Sequence, residues 1–172
     1  MANYTVRLVD HTQGSDKLLP LIQKHLQDLF DSVFSGTNDS ATVSWGTAAG
    51  TEALVLHFVE NVSSSYVMQK LPGKAIASKD GGFTRTQNNT TGSEFYKFVA
   101  FGDGKLSQVR ASGMAALAFH EAMHNKTGWD NHKLHGDDGG GGLATSPAGH
   151  TLSEKNKSIM QAAMAKTNAQ LK

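Results

Sequence analysis

The stretch Ala53–Val59 reads ALVLHFV, an apolar run interrupted only by His57. Such a run fits a strand in an interior position, buried on both of its faces. That strand must have neighbours in a sheet and helices to cover them, and the flanking sequence supplies both. Asn3 to Val9 alternates Tyr4, Val6 and Leu8 against Thr5 and Arg7, the period of a half-buried strand. From Asp16 to Phe34 the apolar residues Leu18, Leu19, Ile22, Leu26, Leu29, Phe30, Val33 and Phe34 recur at helical spacing. Ser15 stands where a helix N-cap is expected and Gly36 where a stop is expected. Thr42 to Trp45 reads as a further strand. GGFTRTQ and SEFYKFVAFG read as two strands of a hairpin, with NNTTG as its loop. Ser107 is placed to cap a helix that runs to about Lys126 and closes at Gly128. Gly136 to Gly149 is a loop by composition, and Thr151 with Glu154 forms a Thr-x-x-Glu capping box for a last helix. The order is strand, helix, strand, strand, hairpin, long helix, glycine loop, helix, which suits an α+β domain with a small sheet covered by helices on one side.

At 172 residues this is a single domain, residues 1–172. Its formal net charge of +1 gives no electrostatic footprint for nucleic acid, and no Lys/Arg run marks an anionic membrane. No apolar run approaches the eighteen residues of a membrane span, so no membrane insertion is expected. The opening MANYTVRLVD has no charged segment followed by an apolar one, which leaves a cytoplasmic location or delivery by a specialised secretion system, as for a toxin-like cargo. With no cysteine in the chain, thiol catalysis and thiolate metal sites are excluded, and any metal must be held by His, Asp or Glu.

The second half of the chain points to such a metal. Four of the eight histidines, His120, His124, His132 and His135, fall within AFHEAMHNKTGWDNHKLH, just before four consecutive glycines. On a helix His120 and His124 lie one turn apart on the same face. Glu121 flanks that face about a hundred degrees round from His120, close enough to assist without ligating. Two neutral imidazoles and one further ligand leave a fourth position for water, whose pKa a bound Zn2+ lowers to about 7. Glu121 is then the base that takes the proton as the water attacks a carbonyl. The third ligand is His135, next to the glycine run, with His132 and Asp130 as alternates.

The pentapeptide His120-Glu121-Ala122-Met123-His124 resembles the active-site motif of the zincins, and the order of elements is similar to the upper subdomain of the metzincin clan. In that clan the pattern runs H-E-x-x-H-x-x-G-x-x-H/D. Here Gly128 comes one residue late, and the sixth position after His124 is Asp130. The resemblance implies a zincin-like fold with an upper sheet-and-helix part, 1–128, and a C-terminal loop and helix part, 129–172. It also implies a zinc metallopeptidase that binds its peptide or protein substrate as an extended strand along the edge strand GGFTRTQ. A zinc amide hydrolase acting on a cell-wall or other non-protein amide, or a module with a structural zinc, would use the same residues. The clan's methionine beneath the metal has a match in Met160, although helical spacing of Ile159, Met160, Ala163 and Met164 favours core packing for it. The clan's oxyanion-stabilising tyrosine has no counterpart after Tyr96, and His150 or Arg110 stands in as a candidate. His11, His25 and His57 are expected to pack or lie on the surface. Gly139 to Gly142 are expected to form either a connector or a rim that lets a peptide backbone approach.

Overall fold

The computed structural model describes residues 1–172. The main sheet holds β1 (Asn3–Asp10), β2 (Ser40–Trp45), β3 (Leu54–Val59), β4 (Gly82–Gln87) and β5 (Thr90–Tyr96) in the order β2-β1-β3-β5-β4. All neighbours are parallel except β4, which runs antiparallel to β5 at the edge. The short C-terminal β8 (Ala169–Gln170) pairs with β5 beyond the end of its pairing with β3. The fold is thus mixed α+β on a small mixed sheet.

Period-two alternation decides which side chains meet the helices. Val6, Leu8, Leu54, Leu56, Phe58 and Phe95 form one buried core with α1 (Leu19–Phe34), α3 (Ala111–Thr127) and α4 (Glu154–Ala163). Phe30 of α1 meets Phe119 of α3 with ring centroids 5.4 Å apart. Each such apolar side chain contributes about 1.5–3 kcal/mol when fully buried. No helix is long and apolar enough to cross a membrane.

The opposite face is covered as well, which corrects the one-sided expectation. Glu94, one residue from Phe95, points to that face and accepts from the Val67 N–H of α2 (Tyr66–Lys70) at 2.8 Å. Arg85 of β4 donates to the Leu71 carbonyl at 2.9 Å. His57 is completely buried there. Its Nε2 lies 2.8 Å from the Leu171 carbonyl, which only accepts, so Nε2 carries the proton and Nδ1 must accept from His11 Nε2 at 2.8 Å. Burial pushes the His57 imidazole down to about 4, so the ring is neutral and ties the C-terminal tail to the sheet. His25 lies exposed on α1.

Several boundaries differ from the sequence reading. Ser15 does not cap α1 through its side chain; its carbonyl takes the Leu18 and Leu19 N–H groups in a preceding turn, and its hydroxyl meets Thr12. The hairpin turn is only Asn88 and Asn89, both at positive φ, and the following Thr-Thr-Gly belongs to β5. A two-residue turn of this hand matches the sheet's twist. The second hairpin strand also divides at Lys97. Beyond it β6 (Phe98–Ala100) leaves the main sheet and pairs with β7 (Leu106–Gln108), so Ser107 is a strand residue and α3 begins at Ala111 after Arg110. The capping box of α4 is Ser153 with Asn156 in place of Thr151 with Glu154. Thr151 instead gives its carbonyl to the Leu143 N–H at 3.1 Å.

Candidate metal centre

One face of α3 carries Gly113, Ala116, Leu117, His120, Glu121 and His124 into a cleft of about 720 Å³, while Ala115, Ala118, Phe119 and Ala122 fill the core behind it. The helix ends at Gly128, whose φ of +129° would strain any side-chain-bearing residue and whose N–H bonds to the His124 carbonyl at 2.9 Å. The chain then reverses into a single tight turn, His132–His135. Leu134 inserts into the core, and its neighbour His135 is thereby turned toward α3.

Three imidazoles consequently converge. His120, His124 and His135 each offer a nitrogen within 4.8 Å of the other two. Their ring centroids lie 4.9 to 5.2 Å apart around one point. His124 Nε2 faces His135 Nε2 at 2.9 Å. His120 Nδ1 sits 2.8 Å from the Leu143 carbonyl, so Nδ1 holds the proton and the Nε2 lone pair is free. Burial pushes all three imidazoles below the usual histidine range, His124 down to about 4, with the neighbouring rings adding to the effect. Neutral rings with free lone pairs are the form that ligates a metal. This nitrogen-only set is close enough to hold one ion, and its chemistry fits zinc among the metals that favour imidazole.

His132 and Asp130 line the same cleft but stand outside the convergent group; the His132 ring centroid is 6.4 Å from that of His135. His150 also lines the cleft, near Gly113, whereas Arg110 does not. Met160 is fully buried in the core of α4. Glu121 lies beneath the edge strand. Its Oε1 accepts from the Thr84 hydroxyl at 2.8 Å, and a side chain at Gly82 would stand 2.6 Å from its Cγ. Burial pushes the Glu121 carboxyl up to about 8, Asp80 and Glu94 add to this, and the Thr84 hydroxyl works against it.

The glycine run neither lines the cleft nor serves as a slack connector, which corrects both expectations for it. A Cβ at Gly139 would lie 1.8 Å from the Leu134 carbonyl oxygen, and one at Gly142 would lie 2.2 Å from that of Thr151. The glycines therefore let the chain press against itself and form the shelf that presents the Leu143 carbonyl to His120. Asn156, completely buried, binds this shelf together. Its Nδ2 donates to the Gly139 carbonyl at 2.7 Å and the Gly141 carbonyl at 3.0 Å, and its Oδ1 accepts from Leu143 N–H at 3.2 Å and Ser153 N–H at 3.0 Å. Asn156→Ala is expected to lower metal affinity by roughly ten- to a hundredfold, the usual effect of losing a group that orients a ligating histidine. It should also destabilise the fold by about 1–3 kcal/mol through buried groups left unpaired. Chelator competition alongside thermal unfolding checks both, and unchanged affinity would refute the shelf's role in holding His120.

Thr84, Gly82, Asp80 and Asn156 are the site residues that sequence reasoning missed. Only Asn156 left a signal, as the fourth member of Ser153-x-x-Asn156, a pattern able to cap a helix reciprocally. Comparison with protein-family models, curated proteins and solved structures finds no match to this chain.

Proposed function

We propose that the chain is a zinc-dependent peptidase of zincin-like, metzincin-type architecture. The observation that carries this reading is the convergence of three neutral imidazoles on the floor of an open cleft that also holds the Glu121 carboxylate. A structural zinc is enclosed by four protein ligands and has no use for an adjacent base, whereas three ligands leave a position for water. The sheet order β2-β1-β3-β5-β4, with its antiparallel edge strand and the histidine helix after β5, supports the resemblance to the metzincin upper subdomain.

His120, His124 and His135 would hold the ion, with Leu143 fixing the ring of His120. Zinc bound there supplies a Lewis acid that brings the pKa of a water to about 7 and polarises a carbonyl. Glu121 accepts a proton from the attacking water as its oxygen bonds to the carbonyl carbon, and delivers that proton to the nitrogen as the C–N bond breaks. The edge strand positions the substrate. A two-residue hairpin makes Gln87 and Thr90 a hydrogen-bonded pair, so by alternation the backbone groups of Gly82, Thr84 and Thr86 face away from β5. They are available to an extended peptide lying in the cleft. Phe83, Phe101, Leu117 and Trp129 give that cleft apolar walls for its side chains.

The test is a mixture of unstructured peptides incubated with zinc-loaded protein and read by mass spectrometry. Cleavage that stops on chelation and returns with zinc is expected. Intact peptides beside hydrolysis of a non-protein amide would shift the assignment to an amide hydrolase, and no hydrolysis of either would overturn the catalytic reading.

A further inference from the structure

The Glu121 carboxylate is held by a directed chain of hydrogen bonds that begins outside the cleft. Asn125 Nδ2 donates to Ser93 Oγ at 3.0 Å, Ser93 Oγ and Thr84 Oγ1 are 2.7 Å apart, and Thr84 Oγ1 lies 2.8 Å from Glu121 Oε1. The directions follow from proton counting. In the ionised form in which Glu121 can act as a base its oxygens only accept, so the one Thr84 proton goes to Oε1, nearer at 2.8 Å than the Glu121 main-chain carbonyl at 3.3 Å. The Ser93 proton then goes to Thr84, and Ser93 accepts from Asn125. Asn125 is itself oriented by a reciprocal amide pair with Gln170 of β8, at 3.0 and 2.9 Å. Ser93, Asn125 and Thr84 are all buried, so water does not compete for these bonds. Each donor polarises the next.

The same strand leaves the second oxygen free. Thr84 and Gly82 face α3 from alternate positions of β4, and a Cβ at Gly82 would stand 2.9 Å from Glu121 Oε2 and 2.6 Å from Cγ. β4 thus places a hydroxyl on Oε1 and the bare backbone of Gly82 against Cγ and Oε2, so the absence of a side chain at Gly82 makes room for a carboxylate whose hydrogen bond from this strand goes to Oε1 alone.

We propose that Thr84 is a positioning residue: it pins Glu121 Oε1 and so assigns proton exchange during hydrolysis to Oε2. This rests on the reading of Glu121 as the base. Neither the Thr84 hydroxyl nor the Ser93 hydroxyl touches the substrate; both act through Glu121.

Three zinc-loaded variants test it: Thr84→Val, which keeps the shape and removes the donor, Thr84→Ser, which keeps the donor, and Thr84→Val combined with Glu121→Gln. Thr84→Val should lower kcat by roughly ten- to a hundredfold, the scale of a misplaced catalytic group, with KM changed less than twofold. Thr84→Ser should restore kcat. In the Glu121→Gln background the Val change should cost nothing further, because the two residues act as one unit. Crystal structures of the single variants supply a readout that needs no activity: the carboxylate should leave its place in the Val variant and keep it in the Ser variant. A Glu121 carboxylate unmoved in Thr84→Val would overturn the proposal, as would an equal loss of kcat in the Gln background. A wild type without hydrolytic activity would defeat the peptidase reading, while the structures would still decide whether Thr84 holds Glu121.

Discussion

Glu121→Gln should lower peptide hydrolysis by roughly a hundred- to ten-thousandfold, the range attributed to a positioned general base, while the bound metal and the thermal unfolding temperature stay near their wild-type values. The amide preserves the shape that fits beneath Gly82, and its oxygen can still accept the Thr84 proton at Oε1. What it loses is the ability to take up a proton. Hydrolysis at the wild-type rate in the Gln variant would remove Glu121 from the mechanism; loss of the metal as well would mean that the carboxylate helps to hold it.

His135→Ala is expected to lower zinc affinity by orders of magnitude, because one of three convergent nitrogens is removed. His132→Ala and Asp130→Ala should cost no more than the roughly ten- to hundredfold typical of groups around a ligand set. The geometry separates them: His135 Nε2 lies 2.9 Å from His124 Nε2, while His132 and Asp130 are exposed on the rim of the cleft. Titration of each variant against a chromophoric chelator gives the ranking. Equal, small losses in all three would place the third ligand elsewhere.

The parts of this site that were legible in the sequence are those fixed by a helical period. His120 and His124 share a face because a turn of helix repeats every 3.6 residues, and Glu121 flanks them for the same reason. Chemistry and neighbourhood favour His135 over His132 and Asp130, but irregular backbone has no period to fix where it points. The choice is made by Leu134 entering the core and by Gly139 admitting the Leu134 carbonyl, contacts that depend on the folded core. Thr84 was illegible for a similar reason: it reads as one hydroxyl in a strand, and its partner lies 37 residues further along the chain. Ser107 shows the reverse failure, where a good N-cap residue is overridden because Ser107 pairs with Val99 in a hairpin and the helix cannot begin there. The interior strand was visible as an apolar run, yet nothing local to it indicated that His57 would be covered by the C-terminal tail at Leu171, 114 residues away.

The central claim is that this cleft is an open zinc site, and the metal's coordination list tests it most directly. Anomalous diffraction at the zinc edge from crystals of the zinc-loaded protein should show one ion held by the Nε2 atoms of His120, His124 and His135, with water completing the sphere. Opening the His124–His135 pair slightly from 2.9 Å would accommodate Zn–N bonds of about 2.0–2.1 Å. A fourth protein ligand in place of the water, or an ion bound away from these histidines, would contradict the account.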